Sequence, residues 1–165
     1  MTQPAAASRP SSHEVRDLFL RLWAKELPTT RKVLERIPEG SDYRPDPKSR
    51  TAREIAWQIV CEEKMLIDAL ESGKAEWVPA PTPPTMKAVL EAYEEQSAGM
   101  EKRWSALPPG RWDGTIEWFG SQRPVSSVVW GFLFDIIHHR GQLTTYLRPM
   151  GSTVPQVYGP SADEP

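Results

Sequence analysis

The sequence predicts an all-α protein, a four-helix bundle with long crossover connections. Four segments repeat apolar residues at the three- and four-residue spacing of an amphipathic helix. Turn-rich or proline-rich stretches at residues 39–50 and 75–85 separate the first three of them. No run alternates apolar and polar residues strongly enough to predict a sheet. Four such helices bury their apolar faces against one another as a bundle.

Composition favours one soluble domain and excludes several classes of partner. The chain has 165 residues, of which 39% are hydrophobic and 25% charged. Its 20 basic and 22 acidic residues give a net charge of −2 and no argument for nucleic-acid binding. A single cysteine, Cys61, excludes an intramolecular disulfide and a multi-cysteine metal site. Neither a signal peptide nor a membrane span is visible, so we expect a cytoplasmic location.

The first helix is expected to follow a disordered leader. Residues 1–12 are small and include prolines, which predicts such a leader before a single domain at 13–165. Ser11 or Ser12 supplies the hydroxyl that caps the helix. Pro28 lacks a backbone N–H, so it is expected to kink or break the helix.

The second helix carries signals at both ends. Thr51, or Ser49 before it, is expected to cap the helix. Glu54 follows Thr51 by three residues, as in a capping box. Gly73 is a usual C-terminal stop.

The last two helices are separated by an aromatic-rich loop. A third helix is predicted at about 85–106 and a fourth at about 128–148, followed by an ordered tail from about 149. The loop at 108–124 is expected to be irregular, with a short hairpin near Gly114. Three of its aromatic residues either rim a pocket or cover one end of the bundle: Trp112, Trp118 and Phe119.

The fourth helix places polar residues on its apolar side. His139 and Arg140 fall inside the apolar arc, and Asp135, Gln142 and Tyr146 run along its edge. Burying such groups is costly unless they pair or bind something. This conflict between position and polarity indicates a functional site.

One pair on each of two helices has the spacing of metal ligands. Asp135 and His139 are four residues apart, and Gln58 and Glu62 repeat that spacing on the second helix. Imidazole and carboxylate ligands together favour Zn, Ni, Mn or Fe, and bundle sites draw ligands from facing helices. The alternative is that Asp135 and His139 only hydrogen-bond each other in a satisfied core.

Glu63 and Arg140 also fall inside apolar arcs. A buried ion pair between them, holding the register of two helices, is the favoured interpretation. The alternative is that Arg140 binds an anionic group of a substrate.

Two stretches of sequence carry a resemblance to a known family. The motif HHRGQLTTYLRPMG with VPQVYGPSADEP, at 138–165, and YRPDPKSRTAREIAWQIV, at 43–60, resemble the DinB-like family of small bacterial four-helix proteins. The family is named for a damage-inducible member, which suggests a stress response. The resemblance implies an up-down-down-up bundle, often dimeric, with a divalent metal between the second and fourth helices.

The usual metal ligands of that family are three histidines. His139 matches the last of them, Asp135 stands where another is expected, and Gln58 stands where the second-helix histidine is expected. The resemblance therefore implies an altered site, which either uses Gln58 or Glu62 weakly or has lost its metal. The resemblance implies that Arg140 orients a substrate, and Gln142 and Tyr146 of the same polar set are the other candidate substrate-binding residues.

Two hypotheses of function remain open. Characterised relatives include thiol-dependent transferases, so the first is a metal-dependent transferase or hydrolase acting with a small molecule or a low-molecular-weight thiol. The second is a non-catalytic homodimeric bundle that binds a small ligand or a protein partner. Gln58 favours the second, because neutral amides are weak ligands for transition metals.

Overall fold

The computed structural model describes residues 11–78 and 80–165, and its helices follow the predicted order. Ser11 caps the first helix and Thr51 the second, each in a capping box with the glutamate three residues later. Gly73 ends the second helix in a left-handed conformation (φ 83°), which glycine adopts readily. The elements are α1 Ser12–Leu34, α2 Ala52–Ser72, β1 Lys74–Ala75, α3 Met86–Ala106, β2 Thr115–Trp118, β3 Ser121–Pro124 and α4 Val125–Leu147.

One contiguous apolar core joins the four helices. The helices pack in the cyclic order α1, α4, α2, α3, and the contact between α2 and α4 is the most extensive. At one end of the bundle the ring of Phe19 lies 5.5 Å from that of Trp104 and 5.8 Å from that of Trp112, a favourable range for aromatic pairs. No described helix is both long and apolar enough to cross a membrane. The predicted all-α bundle is confirmed, with the two polar-lined helices side by side.

The beginning of α1 and its proline differ from the prediction. Residues 1–10 of the predicted leader lie outside the described residues, and the helix already begins at Ser12. Pro28 does not break α1, which continues to Leu34. Both Pro28 and Ala24, whose carbonyl lacks the usual N–H partner, are exposed. Solvent can therefore reach that carbonyl, which lowers the cost of the missing hydrogen bond.

A small three-stranded sheet occupies part of the region predicted to be an irregular loop. β2 pairs with β3 in antiparallel orientation and with β1 in parallel orientation. The hairpin turn lies at Phe119 and Gly120, with φ of 44° and 81°, and not near Gly114 as predicted. The strands have two to four residues, too few for a period-two pattern to stand out in sequence.

The C-terminal segment after Gly151 runs along α1 and α4. The hydroxyl of Ser152 donates to the carbonyl of Arg36 at 2.6 Å. Val154 and Val157 are partly buried against the core. The ordered tail thus ties the end of α4 to the end of α1.

A candidate metal centre between α2 and α4

Three potential metal ligands meet where α2 faces α4. The Nε2 atom of His139 lies 3.5 Å from Oε1 of Glu62 and 3.7 Å from Oδ1 of Asp135. Each residue offers one ligand atom, and these atoms lie within 4.8 Å of one another. Ligands about 2.0–2.2 Å from a tetrahedral ion are about 3.3–3.6 Å apart. The spacing of Glu62, Asp135 and His139, here called the ligand group, therefore suits one divalent ion.

Gln58 lies against this group but at a different spacing. Its Nε2 atom is 2.6 Å from Oε1 of Glu62 and 2.7 Å from Nε2 of His139. Both distances are those of hydrogen bonds and shorter than the separation of two ligands of one ion. In this orientation the amide donates to both neighbours. The structure thus brings Gln58 to the ligand group, while its assignment as a ligand stays a prediction.

Two buried oxygen atoms beside the group have no partner. Oε1 of Gln58 and Oε2 of Glu62 accept no hydrogen bond within the described part of the chain. An unsatisfied buried polar atom costs about 1–3 kcal/mol. A cation bound by the group would satisfy the glutamate oxygen, and a flip of the amide would turn the glutamine oxygen toward the same point. The residues present therefore fit a divalent cation.

Hydrogen bonds on the far side of His139 fix its orientation. Its Nδ1 atom lies 3.4 Å from Oε1 of Gln142, whose Nε2 atom donates to the hydroxyl of Tyr146 at 3.3 Å. This arrangement assigns the ring proton to Nδ1 and leaves Nε2 free to accept or to coordinate. It is a common way to orient a metal-binding imidazole.

The carboxylates also change how His139 titrates. The hydrogen bond with Glu62 raises the pKa of His139, burial opposes this rise, and the charges of Glu62 and Asp135 add to it. Metal binding requires the neutral imidazole, so protonation of His139 competes with a bound ion. Affinity for a metal is therefore expected to weaken as the solution becomes acidic.

The predicted substrate-binding residues lie away from the open side of the group. Gln142 and Tyr146 stand behind His139, and the buried Tyr146 packs edge-on against Tyr43 with ring centroids 5.5 Å apart. Arg140 is 1% exposed and faces α1. Substrate contact by these three residues stays a prediction, and the structure gives each of them another partner.

The predicted ion pair between Glu63 and Arg140 is wrong. Arg140 pairs instead with Glu26 of α1, with Nη1 2.5 Å from Oε2, and also donates to the hydroxyls of Thr30 and Tyr158. Glu63 lies near Tyr93 and Gln96 of α3. Each helix lies between two others, and these two side chains point to opposite neighbours.

A cavity of about 580 Å³ opens beside the ligand group. Glu62 and Asp135 reach its wall, and Trp118 lines it. Trp112, in contrast, is buried in the core at the end of the bundle, and Phe119 is 58% exposed. Of the two predicted roles of the aromatic loop, Trp118 lines a pocket and Trp112 covers one end of the bundle. Sequence reasoning missed Arg123 of β3, another lining residue, because an isolated arginine in a loop carries no pattern.

Fold and site together define a class of protein: a four-helix bundle with a candidate metal centre between its second and fourth helices. The chain belongs to the DinB family, whose model matches residues 1–165. It is 29% identical over 156 residues to the uncharacterized protein YrdA of Bacillus subtilis (strain 168), covering 90% of each chain. The family resemblance drawn from the motifs is confirmed.

Solved structures support the same fold. A DinB-like protein, YjoA, from Bacillus subtilis is similar with a TM-score of 0.69 and 20% identity, over 88% of this chain and 99% of that one. A DinB-like protein from Bacillus cereus ATCC 10987 gives a TM-score of 0.70 and 26% identity, over 85% and 95% of the two chains. The bundle and its long connections are therefore those of the family.

Proposed function

We propose that this DinB-family protein binds one divalent metal ion through Glu62, Asp135 and His139 and uses it in a thiol-dependent transfer or hydrolysis reaction in the cytoplasm. The convergence of these three side chains from two helices, at the spacing of ligands, is the observation that carries the proposal. Zn, Ni, Mn and Fe are the candidate ions. Two carboxylates and one imidazole form a harder ligand set than three histidines, which favours Mn and Fe among them.

Residues around the ligand group support this chemistry. A bound divalent ion lowers the pKa of a thiol, so that thiolate persists at neutral pH. Asp135, whose side chain is 52% exposed, lies on the cavity side and leaves the group accessible to a small molecule. In the transfer, the thiol sulfur forms a bond to an electrophilic carbon, the leaving group departs with its electron pair, and the thiol proton passes to solvent. In a hydrolase, water takes the place of the thiol.

Replacing His139 with alanine is expected to weaken metal binding by more than about 100-fold, because loss of a partner that only orients a ligand already costs 10–100-fold. The measurement is calorimetric titration of untagged, chelator-treated protein with Mn²⁺, Zn²⁺ and Ni²⁺. His13→Ala is the matched control, since His13 is exposed on α1, outside the ligand group. Wild-type protein that binds none of the three ions contradicts the proposal.

Catalysis needs a separate measurement. Metal-loaded protein is expected to consume L-cysteine in the presence of 1-chloro-2,4-dinitrobenzene, and His139→Ala to lose that activity. If the wild-type protein binds metal but consumes thiol no faster than His139→Ala, the metal site is supported and the transferase activity is rejected.

A second candidate function is a non-catalytic homodimer, and the short contacts of Gln58 favour it. The amide already hydrogen-bonds Glu62 and His139 where an ion would attach, as in a site that has lost its metal. Gln58→His separates the two functions. It is expected to tighten a site that wild-type protein already fills if the metal proposal holds. It creates binding where there was none if the site has lost its metal.

For the homodimer we propose the outer face of α1 and α4. Leu18 and Phe134 are 43% and 63% exposed there, and Trp130 lies between them, 6.0 Å from the ring of Phe134 and in a hollow shared with Leu18. Leu18→Asp is expected to shift a dimer to monomer in sedimentation analysis, because a buried unpaired charge opposes association. Val78→Asp, at an exposed apolar position elsewhere, is the control. A dimer unaffected by Leu18→Asp rejects this face.

A further inference from the structure

We propose that the cavity beside the ligand group binds a small organic molecule with an aromatic or apolar body and one anionic group, and that Arg123 recognises the anion. The inference deepens the proposed function and rests on it for the reaction, though not for the binding of the anion. The cavity, at about 580 Å³, lies in the size range of small-molecule sites.

The walls of the cavity are largely aromatic. Trp77 comes from the segment after β1, Trp118 from β2, and Phe132 and Phe134 from α4. The rings of Trp118 and Phe132 meet edge to face, with centroids 5.3 Å apart and planes at 88°. Mutual contact of this kind holds a wall in one orientation. Such walls accept a flat, apolar body and exclude water from it.

The hairpin directs Arg123 toward this cavity. Arg123 pairs directly with Ile116 across the β2–β3 ladder, and directly paired residues project from the same face of a sheet. Ile116 is fully buried and Trp118, two residues along β2, lines the cavity. The three side chains therefore project from the face that covers the bundle. The buried isoleucine anchors the position from which the guanidinium reaches the cavity wall.

Arg123 is a cation with a free hydrogen-bonding fork. Its side chain forms no ion pair or hydrogen bond with any residue in the ranges 11–78 and 80–165. In contrast, Arg31, Arg53 and Arg103 each pair with a carboxylate. The acidic side chains of the cavity wall, Glu62 and Asp135, belong to the ligand group.

The cavity wall has a cation at Arg123 and carboxylates at the ligand group, and this separation of charge indicates where each part of a substrate binds. A planar guanidinium matches the oxygens of a carboxylate, phosphate or sulfonate with two parallel hydrogen bonds. When the anion binds Arg123, the apolar body of the molecule lies between the aromatic walls. The reacting atom then points toward Asp135. The ligand class is therefore an apolar monoanion, and not a neutral or cationic molecule.

Two fluorescent probes of the same shape test this inference: 8-anilinonaphthalene-1-sulfonate, and its uncharged analogue N-phenyl-1-naphthylamine. The full chain, metal-free and metal-loaded, is expected to bind the sulfonate more tightly. Arg123→Gln is expected to weaken binding of the sulfonate by about 10-fold or more and to leave the affinity for the neutral probe unchanged. Phe134→Ala, at an exposed position of the cavity wall, weakens both. Arg50→Gln, at an exposed arginine outside the cavity, is the control.

The outcomes separate this inference from the metal proposal. An Arg123→Gln protein that binds both probes like the Arg50→Gln control overturns the role of Arg123. If Phe134→Ala leaves the binding of both probes unchanged, the probes bind elsewhere, and the assignment of this cavity as the binding site is wrong. A charge effect at Arg123 in protein that takes up no metal supports the anion site and rejects only the metal-dependent reaction.

Discussion

Replacement of Arg140 by methionine is expected to lower the free energy of unfolding by about 3–5 kcal/mol, the range measured when one partner of a buried ion pair is removed. Arg140 is 1% exposed and the side chain of Glu26 is 14% exposed. Methionine keeps much of the apolar stem but leaves the glutamate charge without its partner. The arginine also lies over the ring of Tyr158, 5.1 Å from its centroid, so the variant loosens the tail as well. Urea unfolding followed by circular dichroism measures the change.

A double variant shows whether the uncompensated charge is the cause. Glu26→Leu together with Arg140→Met removes both charges and is expected to recover a large part of the lost stability. Tyr158→Phe, which removes only the hydroxyl that Arg140 and Glu26 share, should cost about 1 kcal/mol. If Arg140→Met proves as mild as Tyr158→Phe, the pair does not hold α1 against α4.

Local signals in the sequence were sufficient to predict the helices. The caps at Ser11 and Thr51 and the stop at Gly73 act through hydrogen bonds and dihedral angles within a few residues, so they are legible without the fold. The effect of Pro28 could not be predicted in this way, because it depends on which side of α1 meets solvent. Strand β1 was missed for a similar reason, since its pairing with β2 joins segments about 40 residues apart.

The candidate metal centre was predictable in part. Asp135 and His139 lie four residues apart on one helix, so their meeting follows from helix geometry alone. The periodicity of α2 likewise placed Gln58 beside Glu62. Helical periodicity gives the direction of a side chain from its own axis but not the helix that it meets. For that reason Glu63 and Arg140 were paired wrongly, and the arginine of the cavity wall was not found.

Glu63 provides the last test, because its carboxyl group is buried on the side of α2 that meets α3, at 1% exposure. Desolvation raises the pKa of Glu63 to about 8, contacts with Gln96 and Tyr93 offset part of that rise, and the nearby charge of Glu62 adds to it. The hydroxyl of Tyr93 donates to the carbonyl of Leu27, and the amide of Gln96 donates to that of Val60. One carboxyl oxygen of Glu63 has no partner among the described residues. A pKa raised to about 8 predicts that Glu63 is mostly protonated in the folded protein at pH 7.

A neutral Glu63 gives stability a definite dependence on pH. Below the ordinary pKa of 4.5, both folded and unfolded chains hold the proton. Above that value the unfolded chain releases it and the folded chain does not, so this residue lowers the free energy of unfolding by roughly 1.4 kcal/mol per pH unit until near pH 8. Glu63→Gln keeps the shape of the protonated acid and removes the titration. Relative to wild type, the free energy of unfolding of Glu63→Gln should rise by about 2–3 kcal/mol between about pH 5.5 and 7.5 in metal-free protein. Urea unfolding at each pH measures it.

The control is Glu101→Gln, at an exposed position of α3. Its free energy of unfolding should change with pH in parallel with that of the wild type. Parallel profiles for Glu63→Gln as well show that Glu63 is ionised in the fold.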